Sequence, residues 1–165
     1  MDEELAFPGT DDGRTVAEVD AYIKAENAAN LTTNQQEATM HLKDLPAIGQ
    51  PLDAGVFAGL TTTPDGQHCA VVLLPNKPDQ QLTWQKAGEW AASVGGVLPA
   101  RPVSALLFAL LRSDFETDDE PWYWTSEQYS DRSAWLQYFD YGGQLINGKS
   151  AELRARAVRF IQLSA

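Results

Sequence analysis

The chain has 165 residues, a formal net charge of −11 at pH 7 and a hydrophobic content of 44%. This hydrophobic content argues against a disordered chain, and the length is sufficient for one domain with a buried core and a small appendage. The negative charge makes direct binding to nucleic acid or to anionic membranes unfavourable, because both are negatively charged themselves. The charge is compatible with a protein partner whose basic surface normally binds nucleic acid.

Residues 1–45 are rich in acids, amides and alanine, which sets them apart from the rest of the chain. Thr15 and Glu18 form a capping box at the start of an apolar helix stripe, which predicts a short helix over 16–28. We therefore expect an N-terminal appendage over 1–45 and a main domain over 46–165. The stripe either packs on the main domain or pairs with a second copy, so a homo-oligomer through residues 1–45 is one expectation.

The N-terminus is acidic, whereas a secretory signal is basic and then apolar. We therefore expect the protein to be made in the cytoplasm. No stretch of the sequence has the length and hydropathy of a membrane-spanning segment, so membrane insertion is not expected.

The main domain opens with a predicted β-hairpin. Two apolar runs, 55–60 and 68–74, flank a turn of sequence Thr-Pro-Asp-Gly. Thr83 then precedes a helix that stops at Gly95, and Pro102 lies in the first turn of a second helix with a broad apolar face. An acidic loop over 114–120 leads into short aromatic strands and a final predicted strand over 154–160 that carries arginines. Hairpin, two helices and a strand meander together predict an α+β fold.

The sequence offers little for catalysis. The single cysteine, Cys69, lies in an apolar strand with His68 on the opposite face, which favours a buried thiol over a nucleophile. No catalytic triad spacing, phosphate-binding loop or run of metal ligands is present. Asp53, Asp65 and Asp140 on predicted turns are the only basis for an acid-based hydrolase. We expect a protein that is not an enzyme and uses no cofactor or metal.

The aromatic and arginine residues of the last third allow two interpretations each. Trp122 and Trp124 occupy alternate positions of one strand and are expected in the core. For Trp135, a core position and a surface position are equally expected. Arg154, Arg156 and Lys149 form either a basic patch or, as we favour, a clasp on the acidic loop, because an arginine fork satisfies carbonyl and carboxylate oxygens well. Arg101 is expected to be structural for the same reason, and the acidic loop is expected to be solvated rather than a cation site.

Several segments occur in an order that resembles a known family. They are Gly96–Arg101, Trp122–Gln128, Gly142–Gln144, Asn147–Ser150 and Arg154–Arg159. Together they resemble a phage and prophage family long catalogued as a domain of unknown function. Its members are similar to C-type-lectin-fold proteins and are related to receptor-binding proteins that some phages diversify with retroelements. The resemblance covers about residues 46 to 162.

This resemblance implies a C-type-lectin-like fold, with two helices packed on short, mostly antiparallel strands and a binding face on the late strands and loops. Ten residues would form that face. They are Tyr129, Ser130, Asp131, Arg132, Trp135, Gln137, Tyr141, Gln144, Asn147 and Lys149. Their mixture of aromatic, amide and charged groups suits a protein interface.

Two activities of related proteins are not expected. Calcium-dependent sugar binding requires oxygen ligands after the tryptophan, and Trp135 is followed by Leu136 and Gln137. Formylglycine-generating enzymes require reactive cysteines, which this region lacks.

The sequence therefore predicts a non-enzymatic phage or prophage binding protein, made in the host bacterial cytoplasm. In one version it enters the virion and recognises a host surface receptor. In the alternative it inhibits a bacterial defence protein inside the cell, where its acidic surface would help.

Overall fold

The structure, a computed structural model, describes residues 39–164. The strands of this part are β1 (Thr39–His41), β2 (Pro51–Leu52), β3 (Gly55–Thr62), β4 (His68–Leu73), β5 (Trp122–Gln128), β6 (Ser133–Tyr138), β7 (Gln144–Gly148) and β8 (Val158–Ser164). The helices are α1 (Trp84–Ser93) and α2 (Arg101–Leu111), and short 3-10 turns cover Leu42–Asp44 and Arg112–Asp114. The helix predicted over 16–28 lies outside the described residues.

The strands form two sheets. The larger sheet has the order β1-β8-β4-β3-β2, and the smaller one is the meander β5-β6-β7. All neighbours in both sheets are antiparallel except β1 and β8, which are parallel. The final strand thus returns to the sheet that holds the first hairpin. This arrangement of two helices and two sheets confirms the predicted α+β class.

The β3–β4 hairpin and both helices form where the sequence predicts them. Thr83 is extended and precedes α1, although its side chain makes no capping bond, and Gly95 ends the helix with φ of +81°. Pro102 lies in the first turn of α2, where its missing N–H leaves no bond unmade. In β4, His68 is exposed and Cys69 is buried, which agrees with the predicted alternation.

The small sheet is packed on both faces, so it links two parts of the core. Tyr123 belongs to a cluster with Val103 and Leu107 of α2, whereas its neighbour Trp124 belongs to a cluster with Ala87 of α1. Trp124 is fully buried, and its Nε1 donates to the carbonyl oxygen of Leu82 at 2.8 Å. The predicted core position of Trp124 is confirmed.

Trp122 packs against the same cluster as Trp124 while staying half-buried. Its expected core position is therefore met only in part.

The compact unit begins at Thr39, because β1 pairs with the end of β8. The sheet therefore extends further toward the N-terminus than position 46, where the composition changes. Neither helix within residues 39–164 combines the length and hydropathy needed to cross a bilayer.

The two arginines before β8 form the predicted clasp on the acidic loop, through backbone carbonyls rather than carboxylates. Arg154 donates from Nε to the oxygen of Glu120 at 3.1 Å and from Nη2 to that of Asp119 at 3.0 Å. Arg156 donates from Nη1 to the oxygen of Asp114 at 2.6 Å. The predicted arginine-rich strand was placed too early, since β8 begins only at Val158 and the clasp precedes it.

Candidate functional site

The pairing of β6 with β7 sets the geometry of the expected binding face. Trp135 lies opposite Ile146 and Gln137 lies opposite Gln144, so these side chains share one face of the small sheet. The guanidinium of Arg101, at the start of α2, lies 3.6 Å from the centre of the Trp135 ring. Tyr129 meets the same indole edge-on, with 5.6 Å between ring centres. We call Arg101, Trp135 and Tyr129 the Arg101 stack.

Arg101 is held in place by amide and carboxylate groups. Its Nε donates to Oε1 of Gln144 at 2.9 Å, and Nε2 of Gln144 donates back to the carbonyl oxygen of Arg101 at 2.8 Å. The backbone N–H of Arg101 donates to Oε2 of Glu127 at 2.6 Å. The planar cation is thereby fixed against the indole, an arrangement that arginine suits better than lysine.

Gln137 shares the face of Trp135 but is covered there, so the expectation that it forms part of the binding face is corrected. Its side chain is fully buried. Nε2 of Gln137 lies within hydrogen-bonding distance of three carbonyl oxygens, at 3.0 Å from Tyr138, 2.9 Å from Gly142 and 3.3 Å from Gly143. A buried amide needs such partners, and here they belong to the β6–β7 turn. Gln137 holds that turn from inside.

A groove lies beside the other end of β6, next to the start of α1. Its volume is about 790 Å³, and its lining includes Trp84, Gly88, Glu89, Val97, Asp131 and Lys149. Lys149 Nζ lies 4.6 Å from the centre of the Trp84 ring and donates to the carbonyl oxygen of Asp131 at 3.0 Å. Nε1 of Trp84 donates to the carbonyl oxygen of Thr125 at 2.9 Å. We call this feature the Trp84 groove.

The β5–β6 turn connects the groove with the Arg101 stack. Its residues 129–132 are all exposed, and 58% of the Tyr129 surface is accessible. Tyr129 belongs to the stack, while Asp131 lines the groove. The stack and the groove therefore meet at this turn, and we call the stack, the turn and the Trp84 groove together the late-strand surface.

Two of the expected site residues lie apart from this region. Tyr141 is 61% exposed, but it lies beyond the opposite end of β6, where its ring packs on Tyr138 with 4.9 Å between centres. Asn147 lies opposite Ala134, on the face of the small sheet away from Trp135, and its Oδ1 accepts the N–H of Gly148. The structure thus brings together six of the ten expected residues with Gln144 as a support. The six are Tyr129, Ser130, Asp131, Arg132, Trp135 and Lys149.

Trp84 and Arg101 are parts of this surface that the sequence analysis did not identify, since Trp84 was not singled out and Arg101 was expected to be structural. A signal for Trp84 was present, because it is the first residue of α1 and a helical side chain covers the turn before its own Cα. That turn is the loop before the helix, which leaves the indole half-buried.

The acidic residues considered for catalysis each have a local partner. Asp53 forms an ion pair with Arg159 at 2.9 Å, and Asp65 accepts a hydrogen bond from Thr63. Asp140 accepts the N–H of Tyr141 at 2.7 Å. Within residues 39–164, no group of three or more histidine, cysteine or acidic side chains could hold a metal ion.

The environment of Cys69 favours the neutral thiol. Burial, followed by the charge of Asp65, raises the pKa of Cys69 above its ordinary value of 9.0. A raised pKa is the opposite of what a catalytic thiolate needs, which agrees with the predicted buried thiol.

No protein-family model matches this chain, and no curated protein matches it either.

Proposed function

We propose that this chain is a non-enzymatic binding protein of phage or prophage origin, and that its late-strand surface binds another protein. The proposal includes a C-type-lectin-like fold. The order of elements supports that fold: a hairpin, two helices, a three-stranded meander and a last strand that returns beside the first hairpin. The surface lies on the late strands and their turns, where the resembled family carries its binding face.

The observation that carries the proposal is the Arg101 stack. Tyrosine, tryptophan and arginine are the residue types that contribute most binding energy at protein interfaces. Here all three are in contact, and Arg101 is fixed by its bonds with Gln144. Side chains that are ordered before binding lose less conformational entropy when a partner arrives.

The Trp84 groove adds a concave neighbour to this stack. Its lining combines the apolar side chains of Trp84 and Val97 with the opposite charges of Asp131 and Lys149. Such a groove suits an apolar anchor side chain with polar neighbours from a partner loop. A stack of tyrosine, tryptophan and arginine side chains beside an anchor groove favours a protein over a small ligand.

Two versions of this function lead to different places of action. As a virion accessory, the protein would leave the host cytoplasm in the particle and bind a surface receptor. As an intracellular inhibitor, it would bind a bacterial defence protein. The net charge of −11 favours the second version when the target has a basic surface that grips nucleic acid.

The test compares the full chain with a double variant, Tyr129→Ala with Asp131→Ala, by affinity capture from host lysate and by mass spectrometry of purified virions. Both side chains are exposed, so the variant should fold. We expect the double variant to lose a partner that the unchanged chain captures, or to lose receptor-dependent adsorption if the protein copurifies with virions.

The matched control is Phe160→Ala, which removes an exposed aromatic from β8 of the large sheet. It should retain the partner. Tyr141→Ala tests the opposite end of β6 separately. Loss of the partner in the Phe160 control, or its full retention in the double variant, would contradict a site on the late-strand surface.

A further inference from the structure

A second cleft, away from the late-strand surface, contains a buried cation. Its volume is about 260 Å³, and its lining includes Lys77, Glu116, Tyr123, Arg154 and Arg156. Arg156 is only 5% exposed and Tyr123 only 6%. We call this feature the Arg156 cleft.

Among residues 39–164, Arg156 forms no ion pair with a carboxylate, although the charge of Asp114 acts on it from farther away. Its Nη1 and Nη2 donate to the backbone oxygens of Asp114 and Leu74, at 2.6 and 3.0 Å, and its guanidinium lies 5.1 Å from the centre of the Phe115 ring. Its buried Nε has no hydrogen-bond partner among residues 39–164. Burial accordingly lowers the pKa of Arg156. A buried cation whose hydrogen-bond acceptors are all neutral loses solvation free energy, and a nearby anion would reduce that loss.

The cleft also has donors available for an anion. Arg154 uses Nε and Nη2 for the loop carbonyls, and its Nη1 makes no bond to the described residues. The hydroxyl oxygen of Tyr123 accepts the N–H of Glu116 at 3.0 Å, which leaves the hydroxyl proton for another acceptor. Lys77 at the rim is exposed and adds a mobile cation.

The balance of charge in the cleft indicates the kind of anion. Three cationic side chains line it, and so do the carboxylates of Asp79 and Glu116. A singly charged group is attracted by the cations with less repulsion from these two acids than a doubly charged phosphate would meet. Because both arginines are already fixed by carbonyl oxygens, little side-chain entropy would be lost on binding.

We propose that the Arg156 cleft binds a carboxylate, with Arg154, Lys77 and Tyr123 as donors and Arg156 as the buried charge behind them. The ligand class is a monocarboxylate, such as an acidic side chain or a free chain terminus presented by a peptide. This site is separate from the late-strand surface and does not depend on its function.

The test is an NMR titration of the full chain with sodium acetate at constant ionic strength, which follows the Nε–H signals of Arg154 and Arg156. Acetamide, the neutral molecule of nearly the same shape, is the control ligand, and inorganic phosphate is the competing anion. We expect saturable shifts with acetate, none with acetamide, and a weaker response to phosphate. Absence of saturable shifts, equal shifts with acetamide, or tighter binding of phosphate would overturn the proposal.

Variants locate the site. Arg154→Gln should weaken acetate binding about tenfold, the effect of one lost charge-assisted hydrogen bond. Arg159→Gln removes the same charge from β8 outside the cleft and should bind acetate as the unchanged chain does. If Arg154→Gln does not fold, Lys77→Gln at the exposed rim should still weaken binding relative to Lys86→Gln on α1. Unchanged binding in Lys77→Gln and in a folded Arg154→Gln would also overturn the proposal.

Discussion

At the scale of single residues, the β6–β7 turn depends on Gly142, because the Phe108 ring occupies the space that a Cβ atom would need. Gly142 has φ of +85°, and a Cβ atom at this position would lie 2.4 Å from Cε1 of Phe108. The Phe108 ring in turn packs edge-on against Phe139, with 6.1 Å between ring centres. A larger residue here must therefore strain the backbone and also move a packed aromatic ring.

We predict that Gly142→Ala destabilises the fold by about 2–4 kcal/mol, the sum of a left-handed backbone penalty and of overpacking. Gly66→Ala is the matched control, since Gly66 has φ of +87° and nothing within 4 Å of its added Cβ. It should lose only the backbone part, about 1–2 kcal/mol. Urea unfolding measures both. Equal losses would contradict the role assigned to Phe108.

The sequence predicts the Gly142-Gly143 turn but not the residue that holds it. Gln137 carries an amide side chain, and residues of this type mostly lie at the surface. Its carbonyl partners come from Tyr138, Gly142 and Gly143, and they converge only when the turn has closed. Spacing along one strand cannot reveal a network of that kind.

At the scale of elements, the clasp fixes the loop between α2 and β5. Arg156 contacts Asp114 at the start of the acidic loop, and Arg154 contacts Asp119 and Glu120 near its end. The sequence predicted this association between the arginines and the acidic loop, and the contacts go to backbone oxygens. The loop carboxylates are thereby left toward solvent, with Asp114, Asp119 and Glu120 all exposed.

We predict that Arg156→Lys destabilises the protein by about 3–5 kcal/mol, because a lysine cannot reach both carbonyl oxygens and leaves a buried charge poorly satisfied. Arg159→Lys, at an exposed ion pair with Asp53, should cost at most about 1 kcal/mol. Denaturant unfolding gives both values. Hydrogen exchange should show faster exchange in the acidic loop of the first variant, and equal stabilities would contradict a structural clasp.

Local patterns predict the hairpin and both helices well, because apolar periodicity and the glycine and proline signals agree there. The start of the last strand was predicted at residue 154, before its observed start at Val158, for a physical reason. Residues 154–156 are fixed by side-chain bonds and an isolated bridge from Arg154 to Tyr123, so they make no continuous ladder. Strand propensity does not distinguish these two ways of holding an extended chain.

At the scale of the whole molecule, alkaline pH should weaken the fold. Burial raises the pKa of Cys69 above 9.0, and burial also raises the pKa of Tyr123 above 10.0. The unfolded chain then releases protons that the folded protein retains. Stability is therefore fully present below pH 9 and is lost as pH rises through the raised values.

We predict that the urea midpoint is constant from pH 7 to about pH 9, the ordinary thiol value, and falls from there to about pH 10.5. Cys69→Ala should remove the earliest part of this fall, because it removes the thiol that titrates first. Tyr123 remains in that variant, so the later part should persist. A midpoint that is independent of pH over this range would contradict the prediction.

The α+β class could be read from the order of elements, whereas the start of the compact unit could not. β1 has three residues and pairs in parallel with residues more than a hundred positions away. So short a strand carries no periodicity, and its pairing depends on the completed sheet. The late-strand surface could be predicted only in part. Its turn and its aromatic residues are local features of the sequence, whereas Arg101 reaches Trp135 only through tertiary packing.

The large sheet ends on its two shortest strands, β1 and β2. Between them, β8 is covered along its outer side at both ends, by Val97 at Val158 and by β1 at Gln162–Ser164. Short edges offer few free backbone groups to another chain. A protein trimmed at residue 45, where composition changes, would lose β1 and offer the end of β8 as a template for intermolecular strand pairing. Truncation at the change in composition is therefore expected to promote aggregation. Residues 39–41 prevent this by covering the end of β8.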